Sequence, residues 1–456
     1  MGIRLPKLAL VAALALCSAL VSPAAGAEPD NRLFIVTSFP GTLFERFKAA
    51  FEQEHPGAKL KILNRKTSAA IAYIQEHIAL RPDLFWASAP DAFEVLKESG
   101  DLEPFAAGVA DIPQKIGRYP VHDPDGYYTG FAVSGYGMMW NIRYLSRHKL
   151  SPPKDWDDLT NPMYHRHLGI TSPSRSGTTH VIVESILQRY GWEKGWALLM
   201  EMAGNLATVT ARSFSVVDGV NSGRFGIGLV IDFLGFSSKA SGLPVEFTYA
   251  ASSPIVPASV ALLKNAANPD LAKAFIRFLL SGSGQRLLFD PAIHRLPVVQ
   301  SLYASAPGGY PNPFQGSGKL EGGTFDSTIS RERYQLVNAM FDTLITFRVR
   351  TFNKVWAAIH RAESLAATSP TPAANEAIAK ARALATRVPV TAQEAANPAF
   401  ADVFIRKQRG RSVPERQARN EAAWNEATEQ NLRDALRIAE AQSRLLEAKD
   451  HRSAGQ

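Results

Sequence analysis

From Arg32 onward the chain alternates short apolar runs with stretches whose apolar residues return every three or four positions. Leu33-Phe34-Ile35-Val36-Thr37 reads as a buried strand, and Ser38-Phe39-Pro40-Gly41 as the turn that leaves it. Phe44, Phe47 and Phe51 then fall on one face of a helix. Thr42 and Glu45 are spaced as its capping box, and His55-Pro56-Gly57 as its stop. The pattern recurs twice. A strand over 59–63 leads to Thr67-Ser68, which can cap a helix carrying Ile71, Ile74 and Ile78. A strand over 83–86 leads through Ser88-Ala89-Pro90 to a helix ending at Gly100. Strands alternating with helices in this way favour an open, mainly parallel sheet.

The alternation lapses between 101 and 141. Asp123-Pro124-Asp125-Gly126 is a strong turn signal, and Tyr127 to Trp140 reads as one extended stretch. That stretch is either an edge hairpin or a crossover into a second lobe. The region beyond repeats the earlier logic. Leu168-Gly169-Ile170 is a strand, and Val181, Ile182, Ser185 and Ile186 share one side of a helix. Leu206 to Thr210 is a strand followed by Arg212-Ser213-Phe214-Ser215 and a short helix, and Phe225 to Ile231 is a strand with Asp232 at its end. Pro254 to Val260 returns the chain to the first lobe, and Asn268-Pro269-Asp270 opens a helix with Leu271, Ala274, Phe275 and Phe278 inward. Pro297 to Gly323 reads as loop. Arg333 to Leu365 reads as helix, packed through Phe341, Ile345, Val355, Trp356 and Ile359.

Ser369-Pro370-Thr371-Pro372 then marks a linker. In the Ala-, Glu- and Arg-rich remainder, Leu432, Leu436, Ala439, Ser443 and Leu446 fit two heptads. Such a stripe either docks on its own lobe or presents a helix to a partner. The expected division is a leader (1–27), a first lobe (28–130 and 255–300), a second lobe (131–254 and 301–365) and a helical C-terminal extension (366–456).

The richest chemistry lies at Thr171-Ser172-Pro173-Ser174-Arg175-Ser176-Gly177-Thr178-Thr179-His180, between a strand and a helix. A helix start exposes unpaired N–H groups and a partial positive charge, Ser176 and Thr178 add hydroxyl donors, and Arg175 adds a full charge. Gly177 lets backbone approach closely. The set suits a phosphate or carboxylate, although Ser and Thr also serve as plain helix caps. What strengthens the ligand reading is recurrence. In open α/β sheets, ligands bind beyond the carboxyl ends of the strands, and here those ends carry Ser38, Thr67, Ser68, Ser88, Arg175, Ser176, Gly177, Thr178, Ser213 and Asp232.

Composition narrows the context. Arg4 and Lys7, an apolar run from Leu8 to Leu20, and Ala25-Gly26-Ala27 form an export signal with a cleavage site. The only cysteine, Cys17, lies inside it behind Leu16, a residue that disfavours lipid anchoring. The mature chain would therefore lack thiols, which excludes disulfide, thiol-redox and cysteine–metal chemistry. Its net charge is about +6 once Arg4 and Lys7 are taken from the +8 of the whole chain. The charge is spread without a dense basic block, so nucleic acid is not indicated, whereas an anionic small ligand is.

The order of these motifs resembles the type II periplasmic solute-binding proteins of ABC importers. The resemblance falls within the branch of ferric-ion, phosphonate and hexose-phosphate binders, closest to the phosphoglycerate-transport regulatory type. It is carried by the first strand with its Ser38 turn, Trp156-Asp157-Asp158-Leu159, Ser174 to Thr178, Gly228-Leu229-Val230-Ile231-Asp232-Phe233, and Asn268-Pro269 through Gly284-Gln285. It implies an α/β fold of two lobes joined by hinge crossovers and closing on one ligand, no catalysis, no cofactor, a periplasmic location and delivery to an ABC permease.

Ferric binders of this branch use adjacent tyrosines near the strand end where this chain has Asp232-Phe233, and Tyr127-Tyr128 lies elsewhere. The ligand implied is therefore a small organic anion such as a phosphorylated metabolite, with Asp232 accepting a hydroxyl hydrogen bond from it. Two alternatives stand beside this: a ligand-sensing adaptor that signals to a membrane sensor kinase through the extension, and a ferric-ion binder. His165-Arg166-His167 has no Cys or acidic neighbour to complete a metal site, and no nucleophile-elbow or Walker loop is present.

Overall fold

The structure, a computed structural model, describes residues 31–76, 82–109, 111–116, 119–251, 253–308, 310–314, 325–405 and 412–453. The expected leader with Cys17, and Ile78, lie outside them.

Two sheets organise the chain. In the first, the strand order is Lys59–Asn64, Arg32–Thr37, Leu84–Ala87, Val256–Leu263, Thr129–Ser134, Leu296–Pro297, with Leu102–Glu103 also paired to Val256–Leu263. Its first three strands run parallel, and Val256–Leu263 lies antiparallel to its neighbours. The second sheet has the order Leu206–Thr210, Leu168–Thr171, Ile227–Ile231, Tyr136–Asn141, Val245–Tyr249. Again one half is parallel and the other antiparallel. Each lobe is therefore only partly the parallel sheet that the strand–helix alternation predicts, because each receives one strand from a chain arriving from the other lobe.

Those arrivals are the crossovers. Thr129–Ser134 belongs to the first sheet and Tyr136–Asn141 to the second, so the stretch read as a hairpin or a crossover is a crossover that turns at Gly135. The return runs from Val245–Tyr249 to Val256–Leu263.

The first lobe packs around rings. Phe39, Phe47, Trp86 and Phe131 meet edge-on or tilted at centroid distances of 5.1–6.2 Å, between the sheet and the helices Gly41–Glu54 and Pro269–Leu280. The second lobe's core runs without a break into the C-terminal helices, with Trp196, Trp356, Ile359, Trp424 and Leu432 in one buried cluster.

Several local expectations change. The helix Gly41–Glu54 starts two residues too early for Thr42 to cap it; Pro40 stands at the N-cap and no side chain caps the end. The segment expected as one helix over 333–365 is broken. Tyr334–Phe341 passes into a π-turn, Asp342–Thr346, and Val349–Thr368 follows after Phe347 and Arg348. The Ser369–Pro372 signal is a tight corner rather than a free linker, since Thr371 caps the helix Pro372–Ala385. The heptad stripe is spent within the chain: Leu432, Ala439, Ser443 and Leu446 are buried, and the helix that carries them, Glu415–Ser453, packs on Val349–Thr368 and Pro372–Ala385.

Candidate functional site

Six helices begin where the two lobes face each other: Gly41–Glu54, Thr67–Glu76, Pro90–Glu98, Gly177–Tyr190, Ser213–Asn221 and Asp232–Ala240. The first or preceding residues of all six line one small cavity of about 50 Å³, room for a few water molecules. The positive ends of six helix dipoles thus border one cavity, three from each lobe.

Of the residues that sequence singles out, Ser38, Thr67, Ser88, Arg175, Ser176, Gly177, Thr178 and Ser213 line this cavity. Ser176 is the N-cap of Gly177–Tyr190, its hydroxyl accepting from the Thr179 amide at 3.2 Å and paired with the Ser213 hydroxyl at 2.6 Å. Ser68 lies at the lobe contact beside the cavity and donates to the Ser174 carbonyl across the cleft at 2.8 Å. Gly177 explains how closely the lobes meet: a Cβ there would lie 2.5 Å from the Ala89 Cβ and 2.9 Å from Thr67 Oγ1.

Asp232 does not line the cavity. It is buried, and its carboxylate accepts from the amides of Gly135 at 2.7 Å and Phe233 at 2.7 Å and from the Tyr249 hydroxyl at 3.0 Å. It therefore clamps the crossover residue Gly135. Burial pushes its pKa up to about 6, against the lowering pull of those hydrogen bonds and of Arg295.

Three further cations, Arg65, Lys66 and Arg212, belong to the wall without being singled out by the sequence pattern, and each sits within two residues of Thr67 or Ser213. With Arg175 they make four, and no carboxylate lines the cavity among the described residues. Arg295 carried no sequence signal. It is fully buried behind the cavity and donates to Ser88 Oγ at 2.9 Å and Ser134 Oγ at 3.2 Å. Its guanidinium lies over the rings of Phe39 at 4.6 Å and Phe233 at 3.8 Å, one from each lobe, and burial lowers its pKa to about 10.

Tyr127 and Tyr128 stand apart from the cavity. Tyr128 donates to Glu94, and Tyr127 lies under the Lys97 ammonium at 5.1 Å. His167 shares a 2.8 Å hydrogen bond with the Tyr144 hydroxyl, and among the described residues no group of three His, Cys, Asp or Glu is arranged to hold a metal ion.

A second polar contact ties the lobes beyond the cavity. Buried Asp91 of the first lobe faces His180 Nε2 of the second at 3.5 Å, and Ser330 donates to Asp91 at 3.1 Å. His180 Nδ1 meets Asn338 Oδ1 at 3.0 Å.

Two α/β lobes, two crossovers and a polar cavity between them define a hinged binding protein. The chain belongs to the bacterial extracellular solute-binding proteins, a family that its residues 81–306 match. It is 35% identical over 383 residues to the phosphoglycerate transport regulatory protein PgtC of Salmonella typhimurium, covering 83% of this chain and 91% of that one. Among solved structures it is similar to the periplasmic binding protein AfuA of Actinobacillus pleuropneumoniae with fructose-6-phosphate bound, at a TM-score of 0.62 and 20% identity, over 69% of this chain and 98% of that one. Iron-bound HitA of Pseudomonas aeruginosa is similar at a TM-score of 0.54 and 17% identity, over 65% and 94%. These likenesses show the type II periplasmic-binding-protein fold.

Proposed function

We propose that the chain captures a small organic anion carrying a phosphate between its two lobes in the periplasm and hands it unchanged to an ABC-type permease. The observation that carries this is the cavity wall, where Arg65, Lys66, Arg175 and Arg212 join six helix starts with no described carboxylate among them. Such a wall repels cations and stabilises anions. The cavity is too small for a sugar phosphate as it stands, so the lobes part to admit a ligand and close on it. The naming of AfuA with fructose-6-phosphate, and of PgtC for phosphoglycerate transport, supports the class without choosing within it.

Thermal shift of the mature protein against phosphoglycerates, hexose phosphates, phosphonates, citrate and ferric iron tests the reading, because a ligand of the folded state must raise the melting temperature. A rise with a phosphorylated compound is the expected result. A rise with iron alone, or none at all, refutes it.

A second reading, sensing on behalf of a membrane kinase, is favoured by a different observation. The regulatory relative aligns over 83% of this chain, whereas AfuA, covered almost completely, accounts for only 69% of it. Because the second lobe's core continues into the extension, substitutions on the exposed face of Glu415–Ser453, such as Arg419→Glu with Leu445→Glu, separate the roles: lost signalling with uptake retained supports sensing, and both retained counts against it.

A further inference from the structure

We infer that Asp342 is a positioning residue, holding the anion-facing loop in shape and coupling it to the long C-terminal helix. Its carboxylate accepts from Ser172 Oγ at 2.6 Å, Ser174 Oγ at 2.6 Å and Thr346 Oγ1 at 2.7 Å. A serine hydroxyl has one proton to give, and here both serines give it to one carboxylate, a charge-assisted pair stronger than neutral hydrogen bonds. The turn that Ser172 caps and that contains Ser174, Pro173–Arg175, carries Arg175 to the cavity. Its Ser174 carbonyl takes the first lobe's Ser68 hydroxyl. One short turn is thus gripped by the cleft, by the opposite lobe and by Asp342.

On its other side Asp342 opens the π-turn Asp342–Thr346, the kind of widened turn that concentrates at functional positions. Arg348, almost buried just beyond it, donates to the Thr343 carbonyl and to both the carbonyl, at 3.1 Å, and the side-chain oxygen of Asn425. Asn425 belongs to Glu415–Ser453. A continuous polar path therefore runs from the cleft wall through Asp342 to the extension. A shift of the turn on lobe closure reaches the helix through hydrogen bonds at both ends, Ser172 and Ser174 to Asp342 and Arg348 to Asn425, joined by the backbone of the Asp342–Thr346 turn whose Thr343 carbonyl Arg348 holds.

The test is hydrogen–deuterium exchange of the full mature chain as wild type, Asp342→Asn, Asp342→Ala and the double variant Ser172→Ala/Ser174→Ala. Without ligand, exchange should quicken roughly tenfold, the equivalent of one lost charge-assisted hydrogen bond, both in 168–180 and in 415–432. Exchange in the first-lobe helix Gly41–Glu54 should not change. Quickening confined to 168–180 would overturn the coupling, and quickening everywhere would reduce Asp342 to a general stabiliser. Adding 3-phosphoglycerate tests the part that rests on the anion reading. It should slow exchange over 415–432 in the wild type, and Asp342→Asn should lose that slowing while still showing a thermal shift. Slowing that survives in Asp342→Asn would overturn the coupling. If the wild type binds no probe, the anion reading falls, and the ligand-free comparison still decides the role of Asp342.

Discussion

Gly177→Ala offers the sharpest test of closure. The added methyl would start 2.5 Å from the Ala89 Cβ on the opposite lobe, whereas carbons rest at about 3.5–4.0 Å. Helix Gly177–Tyr190 and the start of Pro90–Glu98 must then separate by roughly 1 Å, an overpacking that costs about 1–3 kcal/mol. That cost falls on the closed form alone, because parted lobes leave the methyl in solvent. Affinity for the anion should therefore drop by roughly 5- to 150-fold, while the denaturation midpoint of the ligand-free protein measured with the lobes open stays near wild type. Titration calorimetry with the phosphorylated compound that raises the melting temperature measures the loss. Ala89→Gly in the same chain removes the nearest atom that the methyl meets, leaving Thr67 Oγ1 at 2.9 Å, at a position where a helix N-cap tolerates glycine. The double variant should regain part of the affinity. Wild-type affinity in Gly177→Ala, or no recovery in the double variant, would refute the account of how the lobes meet.

Three further outcomes follow from other contacts. Arg175→Ala should weaken an anionic ligand by about 2 kcal/mol, as loss of a charge-assisted hydrogen bond does; calorimetry showing unchanged affinity would remove Arg175 from the site. Asp232, with its pKa raised from 3.8 to about 6, gives the folded state an advantage that is full below pH 4 and lost as pH rises through 6. Relative to Asp232→Asn, the wild type should lose about 3 kcal/mol of stability between pH 4 and pH 7 in urea melts, and parallel pH profiles would contradict the buried-carboxylate assignment. Leu432→Ala, at a site 1% exposed, should cost about 2–5 kcal/mol in the same melts; a loss under about 0.5 kcal/mol would mean that the long helix is not held where it packs.

The strands and helix starts of both lobes were readable because their signals are local. A polar residue after an apolar run marks the carboxyl end of a strand wherever the strand goes, and eight of the ten residues named on that basis reach one cavity. Arg65, Lys66 and Arg212 are equally local, but a cation beside a helix start has nothing in sequence to distinguish it from ordinary surface charge. Asp232 carried the same signal as Ser38 or Ser88, yet its side chain turns to Gly135. Only the position of the crossover, a long-range property, decides that direction. Arg295 and Asp342 were out of reach for the same reason: their partners lie 161 and 207 residues away for the one, and 168 and 170 for the other. The break at Asp342–Thr346 sits in a run whose apolar spacing stays helical on both sides, so periodicity alone carries no mark of it.

The helix Glu415–Ser453 has 39 residues and so extends roughly 58 Å. It is seated on Val349–Thr368 and Pro372–Ala385, which contribute Phe352, Trp356, Ala381 and Ala385 to the second lobe's buried cluster. Attached to one of two bodies, it would act as a pointer if those bodies swing about the Gly135 crossover as the proposed closure requires. A rotation of about 10° would then sweep a rod of that length, pivoting at its base, through roughly 10 Å at its tip. An observer outside the molecule would find the lobes' position easier to read from the end of this rod than from the ligand itself.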